Sequence, residues 1–277
     1  HHRPRTGVVT APAREGHMRL VAGVLAAIAS SLLLLFLVLP VVRLVAAAGA
    51  GGATRLWTDA ELRQSLALTA LTATAAALAA ALCGAPLAWL LARRTFRGRA
   101  IVSAVLDLPL LIPHPVAGIA LLLFLGRGST IGGGLLALGL RIVGTPLGII
   151  AAMLFVSAPL FVSGAREAFA RVDPRLEGVA RTLGDSPWRA FRRVTLPLAA
   201  RGLIAAGVVT WARAVSEFGA IVILAYNPKV VSVLSYDRFT GFGLAEALPV
   251  AAALVLLSMI PLTALRALRM GEPGSAA

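Results

Sequence analysis

Between Leu20 and Ala48 a single position, Arg43, carries a charge. An apolar run of about 20 residues is what a helix needs to cross the hydrocarbon of a bilayer. Lipid offers backbone N–H and C=O groups no partners, so a segment of this kind must satisfy its own ladder as a helix or join a closed barrel. Comparable runs recur at about Leu66–Ala92, Ile101–Leu125, Thr145–Ala165, Gly202–Ala225 and Ala247–Leu265, too long and too continuous for barrel strands. The expected fold is therefore all-α, a polytopic membrane protein with six transmembrane helices. The transmembrane domain is placed at 20–265 between tails at 1–19 and 266–277.

Over 277 residues, 58% are hydrophobic and only 14% charged, which excludes an ordinary soluble domain. A net charge of +14 raises nucleic acid as a partner, but the arginines flank apolar runs and are not interleaved with aromatics. They are read as topology signals, and no nucleic-acid partner is expected. The lone Cys83 excludes an internal disulfide and is read as a small core residue. The segment 1–19 is read as disordered, with Met18 a candidate start. No small-residue cleavage site follows the first span, so that span is expected to be retained.

The second span is rich in Ala, Thr and Gly, which permits close helix packing in lipid and predicts a buried position. It exits into Arg93, Arg94, Arg97 and Arg99. The third span holds Asp107, His114 and the prolines Pro109, Pro113 and Pro115, whose missing N–H donors break a helical ladder. Two readings are open: a broken helix lining a pathway, or a kink whose polar groups neighbours satisfy. The fifth span carries Arg213, Ser216 and Glu217. Neither charge can face lipid, and a buried ion pair at i, i+4 spacing is weighed against contact with a substrate. Residues 126–144 and 226–246 are read as loops, the first with a re-entrant piece as the alternative.

One polar stretch interrupts this pattern, from Asp173 to Pro197 within a 166–201 loop. Asp173 suits a helix cap, Pro174 the first helical position, and Gly184 the left-handed residue beyond the end. Leu176, Val179, Ala180 and Leu183 fall at i, i+3, i+4, i+7 on one face. Ser186 and Pro187 repeat the start signal for a second short helix, with Trp188 and Phe191 on one side and Arg189, Arg192 and Arg193 on the other. Such a pair can bury its apolar side in lipid headgroups, in its own bundle or in a partner's groove.

The stretch resembles the cytoplasmic EAA loop of ABC importer permeases, E-A-A, three residues, Gly, nine residues, Ile, one residue, Leu-Pro. Ala180, Gly184, Leu196 and Pro197 match, and Val194 takes the isoleucine position. Gly178 and Val179 replace the leading Glu and Ala, and Glu177 sits one residue early. The resemblance implies a coupling helix that docks on an ATPase subunit, with Leu176, Glu177, Val179, Ala180, Leu183, Gly184, Asp185, Leu196 and Pro197 as the ATPase-coupling residues.

Counting basic residues outside the spans tests which side that loop occupies. The N-terminal segment, the 93–99 loop, the 166–201 loop and the tail hold 18 of the 26, and the three alternate loops hold six. Positive residues accumulate on the cytoplasmic side, so both termini and the loop are expected there, in the cytoplasmic membrane.

No G-x-x-x-x-G-K-[ST] occurs, since the only lysine, Lys229, follows Pro228 and precedes Val230. The chain is not expected to be an enzyme or to carry a cofactor or a metal, and the energy is assigned to a partner. The runs Leu108–Ser129, Trp211–Ala225 and Tyr236–Ala252 resemble segments of molybdate and tungstate importer permeases, and Arg213–Ala220 is shared with sulfate permeases. That resemblance implies partner ATPase subunits, an extracytoplasmic substrate-binding protein, a second copy of the chain and surrounding lipid. As a hypothesis on mechanism, the third and fifth spans line the translocation path, with Pro113, His114, Arg213, Ser216 and Glu217 as candidates. The alternatives are a sulfate or thiosulfate importer, a membrane-embedded enzyme using Asp107, His114 and Glu217, and a scaffold without transport.

Overall fold

A computed structural model describes residues 12–270, and every described regular element is helical. Of the expected tails at 1–19 and 266–277, residues 1–11 and 271–277 lie outside the described residues, whereas 12–19, read as disordered, belong to the first helix and 266–270 to the last. The chain divides into two compact units, 1–47 and 48–277. The first holds α1 (Pro12–Thr58) as far as Ala47, and the apolar side chains described along it from Ala22 are mostly exposed, as suits a segment that meets lipid. Gly49 interrupts α1 with φ 56°, a conformation open to glycine at little cost.

The second unit is a bundle built on α2 (Ala60–Arg93), α6 (Pro146–Ala170) and α9 (Leu196–Val215). Asp59 caps α2 by accepting the Leu62 N–H at 3.0 Å. Along α2 the residues Leu62, Ser65, Thr69, Ala73, Ala76, Ala80, Gly84, Ala88 and Leu91 recur at helical spacing and are buried. The opposite face, with Leu71, Leu78 and Leu82, is exposed, so α2 is half-buried and not enclosed as expected. Cys83 is also exposed, contrary to its reading as a core residue.

Among the described residues five helices are long and apolar enough to cross a membrane, and a bent pair makes a sixth if it is counted as one span. That pair is α3 (Arg99–Leu111) and α4 (His114–Leu125), which meet at 113°. Pro113 and Pro115 supply no N–H at the junction, so the ladder stops at Leu111. After it come α5 (Thr130–Ala137), then α6, then the short α7 (Pro174–Thr182) and α8 (Pro187–Ala190). A π-helical turn, Phe191–Thr195, joins α8 to α9. Pro197 has no N–H to donate to the turn before it, and the Leu196 N–H bonds Phe191 O instead, which widens that turn.

Two expectations are corrected beyond this point. The fifth span does not run unbroken to Ala225: α9 ends at Val215, and α10 (Gly219–Leu224) follows a break at 216–218. Residues 226–246 are not a loop, because α11 (Val231–Phe242) buries Val231, Ser232, Val233 and Leu234 before α12 (Leu244–Met270). The Val231 N–H donates to the buried Thr69 hydroxyl of α2 at 2.9 Å.

At the Asp59 end of α2 an ion network closes the bundle. Arg238 meets Asp59 at 2.5 Å and Glu61 at 3.0 Å, and Lys229 meets Asp237 at 2.5 Å. The hydrogen bonds from Lys229 and Tyr226 hold the Asp237 carboxyl below its ordinary 3.8, and the same bond to Asp237 raises Lys229 above 10.5. The depressed acid contributes stability above pH 3.8 that is lost as pH falls through its lower folded value. The raised base contributes below pH 10.5 and loses it above. Thermal stability should thus be flat from about pH 5 to 9 and fall below about pH 4. A pH series of melting temperatures checks this, and Asp237→Asn should blunt the acid fall.

Candidate functional site

The two helix breaks meet. Ile112, Pro113, His114 and Pro115 from the α3–α4 junction line one recess of about 500 Å³ with Ser216, Phe218 and Gly219 from the α9–α10 junction. The approach is close: a Cβ on Gly219 would lie 2.7 Å from His114 Cβ and 3.1 Å from the Pro115 ring, and one on Gly118 would lie 2.8 Å from Ala220 O. Glycine is therefore required at 219 to let the two interruptions touch. The Ser232 hydroxyl of α11 donates to the Glu217 carbonyl at 2.7 Å, satisfying backbone that the break releases.

Glu217 is fully buried at this junction. Its Oε2 accepts from Arg213 Nη2 at 2.8 Å, and its Oε1 accepts from the Ala220 N–H at 2.8 Å. Arg213 Nη2 also lies 2.8 Å from His114 Nε2, and His114 Nδ1 lies 3.4 Å from Glu217 Oε2. The same Nη2 lies 3.1 Å from His114 Nδ1, so the guanidinium faces both ring nitrogens. Arg213 Nη1 reaches the Ser216 hydroxyl at 3.4 Å. The i, i+4 pairing read from the sequence is thus present, but Glu217 stands beyond the end of α9. His114 and Ser216 line the recess, Arg213, 20% exposed, bonds both of them, and the N-terminal end of α4 opens on the same space. A helix N-terminus and a guanidinium together favour an anion.

Asp107 does not join this group. It lines a separate, small cavity with Ser103 and Arg166, so the three residues of the enzyme alternative do not converge.

The second region is the elbow at the Arg93 end of α2. The Asp173 carboxylate accepts the Arg175 N–H at 2.9 Å, Pro174 opens α7, and Gly184 has φ 99°. The Ser186 hydroxyl accepts the Arg189 N–H at 3.3 Å to start α8. Leu176 and Val179 are exposed, Leu183 is 84% exposed and Trp188 66%, while Ala180 is half-buried between them. Trp188 stacks on Phe191 with centroids 5.6 Å apart, and Phe191 meets Trp89 of α2 edge-on at 5.8 Å. Leu196 and Pro197, also exposed, begin α9 after the π turn.

Two of the expected coupling residues are oriented differently from the rest. Asp185 bonds Arg193 at 3.2 Å and lies 3.7 Å from Arg189, which ties α8 back on the elbow. Glu177 turns inward, to Arg93 and to the buried Thr195 hydroxyl. Sequence reasoning missed Thr195 and took Arg93 only as a topology signal.

A bundle of membrane-crossing helices, interrupted twice at one recess and carrying an elbowed amphipathic pair at one end, has the form of a membrane transport subunit. The chain belongs to the family of binding-protein-dependent transport system inner membrane components, whose profile matches residues 84–269. The molybdate/tungstate transport system permease protein WtpB of Thermococcus kodakarensis is 46% identical over 189 residues, 68% of this chain and 71% of that one. Its counterpart in Methanocaldococcus jannaschii is 37% identical over 235 residues, 85% and 92% of the two chains. The sulfate transport system permease protein CysT of Escherichia coli stands further off, at 29% over 260 residues, 91% and 94%. Among solved structures, a bacterial alginate ABC transporter in complex with its periplasmic protein shares the fold, with a TM-score of 0.70 at 18% identity over 92% and 94% of the chains.

Proposed function

We propose that this chain is the permease subunit of an ATP-driven importer for molybdate or tungstate. The observation that carries the substrate class is the 37–46% identity to molybdate/tungstate permeases, against 29–32% to sulfate permeases. The recess is chemically suited to the same cargo, because a tetrahedral oxyanion is an acceptor for Arg213, Ser216 and the open end of α4. Glu217 offsets the guanidinium charge, which makes the recess a place to pass through and not to hold. Pro113 and His114 form its other wall.

Energy comes from partner ATPase subunits, since the chain has no phosphate-binding loop. In this reading they meet the exposed face of Leu176, Val179, Leu183 and Trp188, with Gly184 setting the angle between α7 and α8. A binding protein delivers the oxyanion at the opposite end, near Asp59 and Arg238, about 50 Å away along the 34 residues of α2. A second copy of the chain completes the pathway within the lipid. The transmembrane domain at 20–265 then has both tails and the elbow in the cytoplasm, as the distribution of arginines favours.

The test is ATPase activity of the chain reconstituted with its candidate ATPase and binding protein, with molybdate, tungstate and sulfate supplied in turn. Stimulation by molybdate or tungstate is expected. Stimulation by sulfate alone would reassign the cargo, and no complex with any ATPase would sink the importer reading.

A further inference from the structure

Glu177 faces away from its helical neighbours. On α7, Leu176 and Val179 point to solvent, whereas the Glu177 carboxylate lies against the bundle and accepts from Arg93 Nη2 at 3.4 Å. The same oxygen takes the hydroxyl of Thr195, which is fully buried in the π turn. Arg93 in turn donates through Nη1 to the carbonyl of Val172, just past the end of α6, at 2.8 Å. One guanidinium at the last turn of α2 thus joins three elements, and Thr195 adds the root of α9. Arg94 and Arg97, from the same basic cluster, are exposed.

Three features mark this as a joint and not a surface ion pair. Arg93 is 10% exposed and Glu177 22%, so water and salt screen the pair weakly. The bond to Thr195 ends on a π turn, a widened piece of ladder of a kind often found at functional sites. Arg93 Nε and, one turn earlier, Trp89 Nε1 are buried donors with no acceptor. A guanidinium with a donor to spare can exchange acceptors as a carboxylate slides past, keeping its hold through a displacement.

We infer that the Arg93–Glu177–Thr195 cluster is the internal linkage of the importer, which delivers displacement of α7 to α2 and to the α8–α9 helix, and is not part of the face that meets the ATPase. This rests on the reading of α7 as the ATPase contact. Arg93 and Glu177 are accordingly positioning residues. The two faces of one nine-residue helix divide the work: Leu176 and Val179 outward, Glu177 inward.

The experiment uses the reconstituted complex with Arg93→Ala, Glu177→Ala, Glu177→Gln and the double alanine variant. Each should retain the ATPase subunit through purification at the wild-type ratio. Oxyanion-dependent stimulation should fall about tenfold, within the range by which residues between two sites alter their coupling. The double variant should lose less than the two single losses combined, because each removes the same ion pair. Glu177→Gln, which keeps the bond from Thr195 and the fold, should lose stimulation through the ion pair alone. The swap Arg93→Glu with Glu177→Arg should recover part of it. Release of the ATPase by Glu177→Ala but not by Arg93→Ala would place Glu177 on the docking face and overturn the inference. Full stimulation in all variants would do the same. A wild-type complex that no oxyanion stimulates would remove the importer reading and this linkage with it.

Discussion

Arg213→Ala is expected to destabilise the protein by about 3–5 kcal/mol, the usual result of stripping one partner from a buried ion pair. Glu217 is fully enclosed, and with Arg213 gone its Oε2 would face only the His114 ring at 3.4 Å. Thermal unfolding in detergent measures the loss, and a change under about 1 kcal/mol would be that of an ordinary surface site. A second substitution separates packing from transport. Glu217→Gln added to Arg213→Ala removes the stranded charge yet keeps Oε1 as acceptor for the Ala220 N–H at 2.8 Å. The double variant should regain most of the stability and still fail to transport. Were it to transport normally, Arg213 would be a packing residue with no part in the path.

Gly184→Val should uncouple ATP hydrolysis from transport while leaving the membrane helices intact. At φ 99° a β-branched residue is strongly disfavoured, and no atom lies within 4 Å of the Cβ position, so the penalty is purely backbone. The elbow is held by the Gly184 N–H to Arg181 O and the Asp185 N–H to Ala180 O, both at 3.1 Å. A backbone forced out of this conformation redirects α8, which carries Trp188, relative to α7. Gly178→Ala is the control. Gly178 lies inside α7 with open space around it, and alanine there should be neutral or stabilising by up to about 1 kcal/mol. Oxyanion-stimulated ATPase activity of the two variants decides the matter, and full coupling in Gly184→Val would refute the elbow.

The elbow was legible in the sequence because its determinants are local. Asp173, Pro174, Gly184 and Ser186 each act within a few residues, and each is found as read. The break at Pro113 was legible for the same reason. The break at 216–218 was not, because Trp211–Ala225 reads as one apolar helix and no proline marks its interruption. What forbids continuity is tertiary: the requirement that Gly219 lie against His114 and Pro115, about 100 positions earlier. Arg213 and Glu217 were paired by spacing alone, which was right for a reason only partly local, since the pairing survives the end of α9. α11 escaped notice because its buried residues, Val231 to Leu234, are consecutive and show no helical period. The inward turn of Glu177 was not legible because its partner sits 84 residues away on α2, and nothing in a nine-residue window announces that.

The exposure of Leu183 and Trp188 bears on how the chain must be made. On the reading that an ATPase subunit covers them, a copy released without it carries an apolar edge into water, Leu183 at 84% and Trp188 at 66% exposure. Uncovered apolar patches of this kind promote indiscriminate association. The quantity of usable permease is then fixed by the supply of whatever covers that edge, and the two polypeptides have to be produced in step.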